Sequence, residues 1–206
     1  MSELGLFPLG IVLLPTEQVP LHVFEPRYKE LVGECLAEGR ELGIVLADDD
    51  GLRAVGTRAA VTEVLHTFED GRLNVVLEGR ERFRLVSLTE EGRSFQTGEV
   101  EPLADEPDPA AAADVERALD LFRTLAELTE TEIDDPAPGS EQLSFELAAR
   151  VALAPELKQE LLEGISERVR LKRLCELLGR AADAVQLERA VAERASRNGK
   201  VDPRSA

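Results

Sequence analysis

The stretch LGLFPLGIVLLP (4–15), followed by VPLHVFEPRYKELVGECLAEG (19–39), decides how the chain folds. Its first part is apolar but interrupted by Pro8, Pro15 and Pro20. Proline cannot donate to a central ladder, so the run breaks into short extended pieces. Leu9 to Leu14, the longest apolar piece, is far shorter than the roughly 20 residues that span a bilayer. A helix is expected from Glu25-Pro26, because proline at the first helical position gives up an N–H that has no partner anyway. Tyr28, Leu31, Val32, Cys35 and Leu36 then recur on one helical face, and Gly39 supplies the C-terminal cap. Beyond it the pattern returns to strands: Leu42 to Ala47, Val55 to Phe68, Leu73 to Val86 and Gln96 to Val100. Asp49-Asp50-Gly51 and Glu69-Asp70-Gly71 are the turns between them. One helix among about six strands predicts a β pseudo-barrel over residues 1–105, in an α+β chain.

The second half reads as helix almost throughout. Residues 101–135 carry twelve acids against two arginines, whereas 164–204 carry ten basic residues against six acids. The segment EPLADEPDPAAAAD (101–114), with three prolines and five acids, has the composition of a linker and places a boundary near residue 105. A bundle is expected over 106–196. Val115, Ala118, Leu119, Phe122, Leu125 and Ala126 form one stripe, and Leu143, Leu147, Ala148 and Val151 the next. Thr131 to Ser140 reads as a loop, with Ser140 as an N-cap. Pro155 starts a short helix, Ile165 to about Arg194 a long one containing Gly179, and 197–206 is expected to be a flexible tail.

Composition narrows the function. The 206 residues carry a formal net charge of −17, which disfavours a phosphate-backbone binder dependent on a positive field. Two cysteines far apart give no disulfide framework, and no basic residue precedes Arg27, so a cytoplasmic protein is expected, without membrane association. Cys35 and Cys175 lie on apolar helical stripes and read as core. No motif for a metal, a phosphate-binding loop or a nucleophilic serine is present, so neither a cofactor nor enzymatic activity is expected. The two histidines, His22 and His66, lie in strands, where a histidine is more often structural or simply exposed than catalytic. Arg80, Arg82 and Arg84 alternate on one strand and would share a face. Either that face is solvated and balanced by acids, or it receives a carboxylate. Arg168, Arg170, Lys172 and Arg173 form a second basic cluster that fits the acidic 101–135 segment.

Several of these strings are shared with a known family. Phe7-Pro8-Leu9, Leu14-Pro15, Val19-Pro20-Leu21 and Phe24-Glu25-Pro26-Arg27-Tyr28 resemble the signature of the Lon N-terminal (substrate-binding) domain. Val75 to Phe83 resembles its later strand motif. Leu157 to Glu163 and Arg168 to Leu174 resemble its helical part, so the likeness covers residues 4–195. It implies a PUA-like barrel followed by helices, and a module that helps recognise unfolded or tagged polypeptides. The ATPase and Ser-Lys protease modules that follow in the full protease have no counterpart in these residues, so a stand-alone, non-catalytic polypeptide binder is expected. A full-length protease is a possible partner.

The expected mechanism is a groove on the barrel, or where it meets the helices, taking an extended segment by pairing at a strand edge. Candidate contact residues are Pro8, Pro15, His22, Phe24, Tyr28, Arg80 and Arg82, with core packing the competing role for Phe24 and Tyr28. Two alternatives belong to other classes: RNA binding by a PUA-like barrel, and a small-molecule pocket or enzyme inside the barrel.

Overall fold

A computed structural model describes residues 1–89, 92–132, 134, 136 and 139–198, without the side chains of 193 and 195–198. Seven strands, β1 (Ser2–Leu9), β2 (Gln18–Val23), β3 (Leu42–Asp48), β4 (Gly51–Leu52), β5 (Val55–Thr67), β6 (Leu73–Thr89) and β7 (Thr97–Pro102), form one sheet. Its order is β1-β7-β6-β5-β3-β4, and a parallel β1–β3 pairing (Leu6 opposite Gly43, Leu9 opposite Leu46) brings β1 back against β3. Five strands, β1, β7, β6, β5 and β3, therefore close into a ring, which removes most exposed edges. Parallel neighbours cannot be joined by a tight turn. Helix α1 (Pro26–Glu38) lies in the connection between β1 and β3, with Pro26 at its start and Gly39 at φ 64° as its left-handed cap, as the sequence predicts.

Two apolar clusters serve the barrel. Leu4, Leu6, Val45, Phe83 and Val100 form one, inside the ring. Tyr28, Leu31, Val32 and Cys35 of α1 seal the other against Phe7, Leu42, Ile44, Val75 and Leu77. Burial pushes the Cys35 thiol up to about 11, as suits a packing residue. The third cluster is helical: α2 (Ala112–Thr129), α3 (Leu143–Ala148), α4 (Pro155–Glu163) and α5 (Glu167–Asn198). It takes in Val12, Leu14, Leu46 and Val55 from the barrel, so barrel and helices share a continuous core.

Three expectations at the helical end need correction. Ser140 caps no helix: α3 starts at Leu143, and the Ser140 hydroxyl instead accepts from the Gln142 N–H at 3.2 Å. α3 also stops at Ala148, short of Val151, which follows in a turn (Val151 N–H to Ala148 O, 3.3 Å) and still packs, partly buried, against the helical core. Residues 197 and 198 continue α5 rather than a tail, and Gly179 does not interrupt that helix. The rest of the expected tail, 199–206, and residues 133, 135, 137 and 138 of the expected loop lie outside the described residues.

Leu14-Pro15-Thr16-Glu17 is a turn in which the Glu17 N–H donates to Leu14 O at 3.1 Å. Its third residue, Thr16, has φ 67°, a conformation that suits glycine and strains a β-branched side chain. The turn is held nonetheless, by Thr16 N–H to Gly79 O at 2.9 Å and Gly79 N–H to Glu17 O at 2.8 Å. A Cβ on Gly79 would stand 2.1 Å from Leu14 O, so only glycine lets the two backbones approach this closely. Thr16→Gly should raise stability by about 1 kcal/mol, the relief of strain exceeding the added unfolded-state entropy. A shift of the urea midpoint in the opposite direction would show that the Thr16 side chain contributes more than its backbone costs.

Candidate functional site

Beyond the closed ring, the first part of β6 is the middle of a three-stranded blade. β2 pairs along one side of it (Val19 opposite Leu77, Val23 opposite Leu73), and β5 along the other (Val61 opposite Leu77, Thr67 opposite Leu73). β3 leaves β5 at Ala59, so the far edge of β5 from Ala60 to Thr67 has no strand partner among the described residues. Two register shifts, between Val61 and Glu63 and between Val64 and His66, bend this edge and blunt it against indiscriminate pairing. Thr62 to Thr67 are all exposed, including Val64 (40%) and Leu65 (51%).

Residues i and i+2 of a strand share a face, and one rung of the blade carries His22, Asn74 and His66 across its three strands. His22 stacks on Phe24 with ring centroids 6.0 Å apart, and its Nδ1 lies 2.6 Å from Asn74 Oδ1. His66 meets Phe68 edge-on at 4.4 Å, and His22 meets the same ring at 5.7 Å. The Arg72 guanidinium sits 4.9 Å from the Phe68 centroid. The β5–β6 turn fixes this end. Phe68 N–H donates to Arg72 O, Gly71 at φ 79° takes the left-handed position, and the Asp70 carboxylate accepts from Arg72 N–H and Nε. Phe24, 59% exposed, presents its ring to solvent. The result is an aromatic and imidazole surface beside an unpaired strand edge. Sequence reasoning placed His22 and Phe24 among the contact residues, weighed His66 only as a strand histidine, and did not reach Phe68, Arg72 or Asn74.

The remaining candidates lie elsewhere. Tyr28 is buried and stacks on Phe7 at 4.0 Å, in the role of core packing, and Pro8 is half-buried in the β1–β3 pairing. Pro15, Arg80 and Arg82 line a groove of about 420 Å³ between the barrel and the 102–105 segment. The strip of three arginines is not a surface. Arg80 and Arg84 are exposed and sit beside Glu78 (3.0 Å) and Glu101 (3.9 Å). Arg82 shares a side of β6 with Arg84, opposite Thr57 and Val55. Strict alternation with Arg80 is broken, because from Gly79 to Arg82 the strand takes three steps against two on β5. The Arg82 side is covered by the linker and the turn between α4 and α5. Its side chain is 3% exposed, and Nη1 donates to Leu162 O and Gly164 O, both at 2.7 Å. Arg82 is therefore a buried tie between barrel and helices. The second basic cluster pairs largely with the acidic segment: Arg168 with Asp108, Arg170 with Asp105 and Lys172 with Asp114. Among the described residues, no helix is long and apolar enough to cross a membrane, and no three His, Cys, Asp or Glu side chains are grouped to hold a metal ion.

A barrel with helices packed on one side and a bare aromatic blade on another defines a binding module. The comparisons give the family: residues 3–180 match the ATP-dependent protease La (LON) substrate-binding domain, and the chain belongs to that family. It is 28% identical over 211 residues to the Lon protease of Paraburkholderia phytofirmans, an alignment taking in 94% of this chain and 26% of that protein. Lon protease 1 of Thermus thermophilus is 30% identical over 210 residues, with 93% and 26% covered. The chain thus spans about a quarter of the length of these relatives. Among solved structures, the Lon N-terminal domain protein from Xanthomonas campestris superposes with a TM-score of 0.67 at 30% identity, covering 84% of this chain and 97% of that one. The N-terminal domain of the Mycobacterium avium complex Lon protease, at 18% identity and a TM-score of 0.66, shares the fold.

Proposed function

We propose that the chain is a non-catalytic module that captures unfolded or extended polypeptide segments, on the blade formed by β2, β6 and β5. Family membership supports a substrate-binding role. The observation that carries this location is the face of exposed Phe24, His22 and His66 with half-buried Phe68, beside the unpaired edge of β5. An extended segment gains backbone hydrogen bonds by pairing along Ala60 to Thr67, while its alternate side chains rest on the aromatic face. The setting is a cytoplasmic one, and a full-length protease is the partner to which a captured segment would pass. Pro15 and Arg80, on the junction groove, are secondary contacts in this reading.

Phe24→Ala and Phe68→Ala should each weaken binding of an unfolded model polypeptide by about tenfold, measured by calorimetry. Phe24 has little packing to lose, so its variant should keep wild-type stability within about 0.5 kcal/mol. Undiminished binding by both variants would remove the blade as the site. Binding of single-stranded RNA with a steep salt dependence, and of no polypeptide, would replace this function with the stacking-platform alternative.

A further inference from the structure

His22 and His66 are the only histidines in the chain, and the fold brings them from two strands onto one rung, either side of Asn74. Both rings meet the same Phe68 in T-shaped contacts, at interplanar angles of 86° and 77°, and Arg72 lies against that ring as well. We propose that these imidazoles make the blade proton-controlled: neutral, the face takes uncharged apolar segments; protonated, it turns away from these and takes acidic ones. This rests on the reading of the blade as the polypeptide site.

The chemistry follows from the rung. Asn74 Oδ1 can only accept, so His22 Nδ1 carries the hydrogen in their 2.6 Å contact, and an added proton goes to Nε2. The rung survives protonation, and what changes is charge. Phe68 then has three cations around it instead of one, and an apolar side chain arriving there has to strip water from two imidazolium groups. A carboxylate arriving at the same place gains two partners.

The neighbouring charges are paired with one another or exposed. On β6 and the preceding turn, Arg72 is paired with Asp70 at 2.7 Å. From α1, Lys29 Nζ donates to Asp70 O at 3.2 Å, and Arg27 pairs with Glu25 at 2.7 Å. Glu63 on β5 and Glu69 in the turn are exposed. Among the described residues neither imidazole lies within ion-pair distance of a carboxylate, so a segment's own acids have no internal competitor.

The test uses two labelled, unstructured peptides with the same apolar residues, one flanked by serines and one by aspartates. Fluorescence anisotropy reads their binding to the whole chain at pH about 7.5 and about 5.5, at fixed ionic strength. Acidification should shift the affinity ratio about tenfold toward the aspartate peptide. The H22Q/H66Q double variant should bind both peptides with a ratio that no longer depends on pH. H66Q alone, which sacrifices no rung hydrogen bond, should remove about half of the logarithmic shift. A wild-type ratio that ignores pH, or a shift that survives in the double variant, overturns the switch and leaves the polypeptide site standing. Binding of neither peptide to wild type, at pH about 7.5 or about 5.5, overturns the polypeptide reading itself.

Discussion

Arg82→Ala should cost about 3–5 kcal/mol of folding stability, read from urea denaturation, far more than an exposed arginine on the same strand. Its guanidinium belongs to a buried network of two arginines and two acids that joins the barrel to the helices. Arg170, with a fully buried side chain, donates Nη1 and Nη2 to Asp105 at 3.0 and 2.6 Å, Nη2 to Glu167 at 2.6 Å and Nε to Ser144 Oγ at 2.7 Å. Glu167 in turn accepts from Ser144 N–H and Oγ. Phe145 lies against both guanidinium groups, 5.3 Å from Arg82 and 4.0 Å from Arg170. Truncating Arg82 takes the donor from the buried Leu162 carbonyl, leaves Gly164 O to Arg170 Nη1 alone and unbalances the remaining three charges, whereas Arg80→Ala removes only a solvated pair with Glu78. A loss below 1 kcal/mol for Arg82→Ala would mean that water replaces it and that the network contributes nothing net.

The same network sets an acid limit. Burial alone would raise the Asp105 carboxyl, but the hydrogen bonds and charges of Arg170 and Arg82 outweigh it and hold the group below the ordinary carboxylate value. A folded-state value below the unfolded one means that the contribution is complete above the unfolded value, near pH 4, and drains away as pH falls through the folded one. Stability should therefore drop on acidification below about pH 4, and Asp105→Asn should lack that part of the slope while starting from a lower plateau.

Much of this framework was legible in the chain. Local signals gave α1 between Pro26 and Gly39, and they placed the long β5 and β6 either side of Glu69-Asp70-Gly71, because proline, glycine and periodicity act over a few residues. Barrel closure was less accessible, since the parallel β1–β3 pairing depends on where α1 packs and no short-range pattern encodes it. The same limit governs the site. Given the hairpin turn, His66 falls opposite Asn74 by counting back along the strands, so half of the aromatic rung could have been found. That β2 lies along the other side of β6, and brings His22 and Phe24 with it, is a tertiary fact. Arg82 shows the converse error: strict alternation predicts one shared face for Arg80, Arg82 and Arg84, but it foresees neither the irregularity of β6 between Gly79 and Arg82 nor the linker that covers Arg82.

Phe83→Ala should be about as damaging as the loss of Arg82, at about 3–5 kcal/mol, for a different reason. The ring is fully buried inside the barrel among Leu4, Leu6, Val45 and Val100, and a five-stranded ring has room for it only because β3 and β5 offer glycines there. A Cβ on Gly43 would stand 3.0 Å from Phe83 Cζ and 2.8 and 3.0 Å from methyls of Leu4 and Leu6; a Cβ on Gly56 would stand 2.7 Å from Phe83 Cζ and 2.5 Å from Ile44 O. A double-mutant comparison separates the two glycines. Gly43 is crowded by side chains alone, so Gly43→Ala should become cheaper once Phe83 is alanine, with a coupling of about 1 kcal/mol or more. Gly56 is also pressed by a backbone carbonyl that cannot retreat, so Gly56→Ala should stay costly and its coupling to Phe83→Ala should be the smaller of the two. Equal couplings would show that β3 and β5 move apart freely, and that the ring is not set by close packing around Phe83.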